Sequence, residues 1–174
     1  RYRLPRIRVT LGSAAQRAGD FIKRAGGIIF LSAAAVWLLS YLTPHMRPAG
    51  SADESLLALV AGFISPLLSP LGIGNWRAAA ALICGIGAKE AIISALGALT
   101  GGNPAQTLAA SGIFTPASAL SFMVFSSLYL PCAATIPAMR AECGSAKLTA
   151  AGLAAGFAVA YILSFFVYTA ASAL

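Results

Sequence analysis

The chain has 174 residues, of which 59% are hydrophobic and only 10% charged, far from the roughly 25% charged composition that keeps a soluble domain in water. That balance excludes an ordinary soluble globular domain. The net charge is +7, and seven of the twelve basic residues lie in the first 24 positions: Arg1, Arg3, Arg6, Arg8, Arg17, Lys23 and Arg24. Beside an apolar span this asymmetry marks a cytoplasmic flank by the positive-inside rule, rather than a nucleic-acid-binding arm.

The chain opens on RYRLPRIRV with no starting Met. No small-residue cleavage site follows the first apolar run, so this is not a secretory signal peptide. A C-terminal piece of a longer protein is the expectation. Residues 1–24 form a cytoplasmic basic arm, with an amphipathic helix over 10–24 whose Phe21 and Ile22 dip into the membrane interface. Residues 25–174 form the transmembrane domain. Three stretches carry no charge, 25–42, 91–139 and 148–174, and each can supply the about 20 apolar residues of a membrane helix.

The first span is expected at 25–42, with Trp37 and Tyr41 in the aromatic belt. A polar Pro/Gly loop follows, TPHMRPAGSADE, expected outside. The apolar segment 55–73 contains Pro66 and Pro70, which break the helical hydrogen-bond ladder, so it reads as a broken span or a re-entrant segment. Crossing is the favoured reading, because it places Arg77, Arg140 and Lys147 on the cytoplasmic side with the N-terminus. A span over 77–99 comes next, then a charge-free loop over 101–115. Thr115 as N-cap and Pro116 in the first turn start a helix over 116–142, interrupted at Pro131. The last helix covers 147–173. The fold class is all-α: a polytopic transmembrane helix bundle with Pro/Gly-interrupted helices.

Two places carry chemistry. Lys89 and Glu90 lie inside an apolar run, GIGAKEAIIS over 85–94, where a charge at the bilayer centre costs roughly 2.5–3.5 kcal/mol. Neighbours at i and i+1 do not share a helix face. The two charges therefore need separate partners, or the helix is unwound there. Ala80, Cys84, Gly87, Ala91, Ser94 and Ala98 form a small-residue stripe suited to close helix packing. A structural pairing role and a gating role both stand for the two charges.

The second place is LYLPCAATIP over 128–137. Pro131 has no N–H, so the Ser127 carbonyl loses its helical partner, and Pro137 does the same to the Ala133 carbonyl. Cys132, Thr135 and Met139 fall at i, i+3 and i+7, one helical face. Thiol, hydroxyl, thioether and loose carbonyls make a mixed soft and hard set that suits a transition-metal cation. The alternatives are a thiol that only packs and a purely architectural kink. Cys84, Cys132 and Cys143 have no disulfide or zinc spacing. His45 reads as solvated and Glu142 as a surface charge. No phosphate loop, HExxH or Ser/His/Asp set occurs, so no catalytic residue and no permanently bound cofactor is expected.

GIGAKE (85–90) with the following AIISALG, FTPASALSFMVFSSLYLPCAAT (114–135) and RAECGS (140–145) closely resemble the C-terminal membrane part of the ferrous iron transport protein B family (FeoB). YRLP (2–5) and the basic approach to AGGIIF resemble that family's lead into its later helices. The resemblance covers nearly the whole chain. It implies a multi-pass protein of the bacterial inner membrane that carries Fe²⁺ and holds the second of two gates. It further implies partners beyond this chain: lipid, the first gate and an N-terminal domain that binds GTP with Mg²⁺, with room for a homo-oligomer and no nucleic acid. The family's gate cysteine falls on Cys132, and its polar motif on Gly87, Lys89 and Glu90. Pro137 departs from the pattern, where a helix-compatible residue is expected. Two other readings stand beside this one: a gate-type transporter of nucleosides or another small solute, and a structural membrane subunit that conducts nothing.

Overall fold

The computed structural model describes residues 7–100 and 112–173. The first basic residues and most of the expected 101–115 loop lie outside the described residues, as does the side chain of Phe21. Seven α-helices follow one another among the described residues: α1 (Ile7–Tyr41), α2 (Leu56–Leu68), α3 (Trp76–Gly87), α4 (Ala91–Thr100), α5 (Pro116–Leu128), α6 (Thr135–Cys143) and α7 (Ala146–Ser172). Short 3-10 turns stand at Ala52–Glu54 and Ser69–Leu71. The described residues contain no strand, only an isolated bridge between Leu42 and Pro48. The chain is an all-α bundle with interrupted helices.

The amphipathic segment and the first expected span are one continuous helix, the 35-residue α1, about 52 Å long at 1.5 Å per residue. Gly26 and Gly27 lie inside it. Each weakens a helix by about 1 kcal/mol, but neither removes a backbone donor as proline would, so the ladder continues.

The segment after α1 departs further from expectation. Ser55 caps α2, its Oγ accepting from the Ala58 N–H at 3.1 Å. Pro66 leaves the Gly62 carbonyl without its helical donor, and Ser65 Oγ donates to that carbonyl at 3.0 Å. The Ser69–Leu71 turn then ends at Gly72, whose φ of +75° is left-handed. A β-carbon there would overlap the Tyr168 ring of α7, so glycine answers both the turn and the packing. From α2 to α3 the helix direction changes by 104°.

Arg77, at the start of α3, reaches back to the loop after α1, with Nη2 3.0 Å from Asp53 Oδ1. This corrects the favoured crossing of 55–73. Arg77 stands beside the 43–54 loop, not across a membrane from it. The physical cause is local: Pro66, Pro70 and a left-handed glycine turn the chain back on itself. Among the described residues, α7 alone is long and apolar enough to cross a membrane as a single helix. α2 and α3 reach that standard only as a bent pair.

The core lies where α3 passes between its neighbours. Ala78, Ala79, Ala80 and Ala81 are all buried, with Leu57, Ala61, Leu68, Leu71 and Ile73 on one side and Phe122, Phe125 and Tyr129 on another. Methyl side chains let α3 run close to its neighbours. α5 packs along α7 through small residues: Ser121 Oγ donates to the Ser164 carbonyl at 3.1 Å, and Ala160 is fully buried. Outward, the bundle shows Phe30, Leu31, Trp37, Phe63, Ile93, Met123, Ile162 and Phe166. An apolar exterior this extensive is foreign to soluble monomers and suits a lipid surroundings.

Candidate functional site

Two helices are interrupted, and the interruptions meet. The first separates α3 from α4 at residues 88–90, where Ala88 is extended (φ −150°, ψ 124°). The second separates α5 from α6 at residues 129–134. Each break leaves carbonyls at a helix C-terminus without intrahelical donors. Each break supplies donors to the other.

The Ile86 carbonyl accepts from the Ala133 N–H at 2.9 Å. The Gly87 carbonyl accepts from the Cys132 thiol at 3.2 Å. In return Lys89 Nζ donates to the Ser127 carbonyl at 2.7 Å, the carbonyl that Pro131 leaves open. Tyr129 adds a fourth link, its buried hydroxyl donating to the Leu82 carbonyl at 2.7 Å. The Lys89 ammonium also lies 5.9 Å from the centre of the Tyr129 ring, within cation–π range.

Glycines make this approach possible. A β-carbon on Gly85 would overlap the Ile92 side chain and come within 2.9 Å of Tyr129 Oη. One on Gly87 would stand 2.7 Å from Ser32 Oγ, so α1 also packs against the crossing. A larger residue at position 85 would push Tyr129 away, and one at position 87 would push α1 off the crossing.

The expected site residues separate into two groups. Gly87, Lys89, Pro131 and Cys132 come together at the crossing. Glu90 is exposed and makes no side-chain hydrogen bond or ion pair among the described residues. The expectation of a separate polar partner therefore holds for Lys89 and not for Glu90. Cys132 precedes α6, so the helical face proposed for Cys132, Thr135 and Met139 does not exist as such. Thr135 is the exposed first residue of α6. Met139 is half-buried and turned to α7, its Cε 3.7 Å from where a β-carbon on Gly152 would stand.

The expected effect of Pro137 is also corrected. It occupies the first turn of α6, where an N–H has no helical acceptor, so its absence costs no bond. The Ala133 carbonyl instead accepts from the Ile136 N–H at 3.3 Å. His45 is exposed and lines a cavity of about 720 Å³ with Asp53, Glu54 and Trp76 at the 43–54 loop. No group of three or more His, Cys, Asp or Glu able to hold a metal ion occurs among the described residues.

Sequence reasoning found the open Ser127 carbonyl but not the lysine that fills it, and it gave Tyr129 no role. The available signal was a tyrosine two residues before a helix-breaking proline. A hydroxyl there at membrane depth needs an acceptor.

The family model described as "Gate: Nucleoside recognition" matches residues 22–146. The Fe(2+) transporter FeoB of Staphylococcus aureus (strain COL) is 38% identical over 168 residues, which is 96% of this chain and 25% of the relative. The Fe(2+) transporter FeoB of Methanocaldococcus jannaschii is 36% identical over 151 residues, 82% of this chain and 22% of the relative. An Fe(2+) transport protein A/Fe(2+) transporter FeoB fusion protein of Porphyromonas gingivalis is 24% identical over 216 residues, again 96% of this chain. No solved structure matches. The chain thus spans about a quarter of the length of these curated relatives. The resemblance drawn from GIGAKE and YLPCAAT holds, and the chain belongs to the Gate family.

Proposed function

We propose that this chain forms part of the permeation path of a ferrous iron transporter in the bacterial inner membrane, with Fe²⁺ passing the crossing of the two helix breaks beside Cys132. One observation carries the reading. A thiol meets a helix-end carbonyl at the crossing, the Cys132–Gly87 contact at 3.2 Å, and a second carbonyl, that of Ser127, is open to a donor from outside its own helix. Thiol sulfur favours Fe²⁺ over Mg²⁺ and Ca²⁺, which prefer all-oxygen sites. Two interrupted helices at one place are also how many transporters build a midplane ion site.

The ligand set is sparse, and conduction requires that. An ion must bind well enough to enter and weakly enough to leave. Thr135 is a secondary ligand reached on leaving the break, and Met139 a further one only if α6 turns away from α7. The rest of the transporter supplies the first gate, further membrane spans and the GTP-binding domain with its Mg²⁺. This segment performs no catalysis. The Gate description favours a second reading, transport of nucleosides, but a nucleoside would be held by hydrogen bonds and stacking rather than by a thiol.

The test is iron uptake by the full-length protein. Cys132→Ser removes the soft ligand and lowers Fe²⁺ uptake about tenfold, equivalent to ~1.4 kcal/mol of barrier, at equal protein level. Cys84→Ser and Cys143→Ser leave uptake near the parental rate. Unchanged uptake in Cys132→Ser would remove the thiol as a ligand and reduce the PCAAT segment to a hinge.

A further inference from the structure

The group that fills the Ser127 carbonyl is a cation. Lys89 Nζ donates to it at 2.7 Å and lies 5.9 Å from the Tyr129 ring centre. Carbonyl oxygen and an aromatic face both attract cations in general. Lys89 makes no ion pair among the described residues, although Glu90 is its neighbour in sequence. Its partners are a neutral carbonyl and an aromatic face rather than a carboxylate. Lys89 also stands on the three-residue break 88–90, not within a helix. Its backbone is held by turn bonds alone, the Ala88 carbonyl accepting from the Ala91 N–H at 3.0 Å and the Lys89 carbonyl from the Ile92 N–H at 3.2 Å, and its flexible four-carbon side chain can swing from that anchor.

The same carbonyl is an oxygen ligand that a passing divalent ion would use. Two residues before Lys89, the Gly87 carbonyl meets the Cys132 thiol. An ion at the thiol and the Lys89 ammonium therefore compete for one small region. We infer that Lys89 is a tethered competitor cation. In this conformation its ammonium occupies the oxygen position of the path, and it withdraws when a divalent ion takes that position. The inference deepens the iron-path reading and rests on it. It gives the crossing a closed state that repels stray cations without a separate plug.

The test uses the full-length protein in membrane vesicles, with labelling of Cys132 followed by mass spectrometry of its own peptide. Two thiol reagents of similar size are compared, the cationic 2-aminoethyl methanethiosulfonate and the neutral methyl methanethiosulfonate. The readout is the ratio of cationic to neutral labelling rate. In Lys89→Met the ratio rises at least tenfold, because two unit charges even about 12 Å apart repel by ~1.4 kcal/mol at an effective ε near 20. Lys89→Gln, which keeps a hydrogen-bond donor without charge, gives the same rise and serves should the Met variant fail to accumulate. Lys89→Arg keeps the parental ratio. A purely structural lysine would raise both rates together, so a parental ratio in Lys89→Met and Lys89→Gln overturns the inference. Failure of the iron-path reading shows elsewhere, as unchanged Fe²⁺ uptake in Cys132→Ser.

Discussion

Gly85→Val is expected to be among the most damaging single changes in the chain. A β-carbon at position 85 would overlap Ile92 Cγ1 and stand 2.6 Å from its Cδ1 and 2.9 Å from Tyr129 Oη. Ile92 and Tyr129 are both buried, so neither can move out of the way into open space. Overpacking of this kind costs about 3 kcal/mol. For a chain of this size that lowers the melting temperature by ~6–12 °C. Thermal unfolding in detergent, followed by tyrosine and tryptophan fluorescence, measures it. The companion change Ile92→Ala opens the space, so the double variant should be less destabilised than the sum of the single changes. A Gly85→Val protein that melts with the parent would mean the two breaks do not approach as described.

Pro131→Ala has a different and functional effect. It returns an N–H at the position from which a helix would serve the Ser127 carbonyl. That carbonyl is now filled by Lys89 Nζ at 2.7 Å. Relief of the proline penalty, about 3 kcal/mol in a helix interior, favours continuing α5 through the break. Cys132 would then leave the Gly87 carbonyl. The expected result is a gain in helicity by far-ultraviolet circular dichroism. Fe²⁺ uptake falls about tenfold or more, because a preference of even ~1.4 kcal/mol for the continuous helix is a tenfold shift of population. Parental uptake together with raised helicity would show that the break is not needed for passage.

Much of the crossing was legible because its signals are local. Pro131 opens a carbonyl four residues back whatever the rest of the fold does. Two adjacent charges cannot share a helix face, and the chain is in fact unwound at Lys89 and Glu90. Thr115 and Pro116 mark a helix start, and the cap forms with Thr115 Oγ1 accepting from the Ser118 N–H and Ser118 Oγ accepting from the Thr115 N–H. What stayed hidden depends on contacts distant in sequence. The return of Arg77 to Asp53 spans 24 residues, and a charge tally cannot reveal which side of a bend an arginine reaches. The pairing of Lys89 with Ser127 spans 38. The i, i+3, i+7 pattern of Cys132, Thr135 and Met139 failed because it assumed a helix through the residues that Pro131 takes out of one.

The most direct test of the iron path is protection of the Cys132 thiol by the transported ion. The full-length protein in vesicles is treated without oxygen with a small alkylating reagent, with and without Fe²⁺, and modification of Cys132 is quantified by mass spectrometry. If Fe²⁺ passes in contact with the thiol, Fe²⁺ slows its modification, Mg²⁺ at the same concentration does not, and Cys84 and Cys143 are modified at unchanged rates. Equal modification of Cys132 with and without Fe²⁺, in vesicles that are taking up iron, would contradict the account.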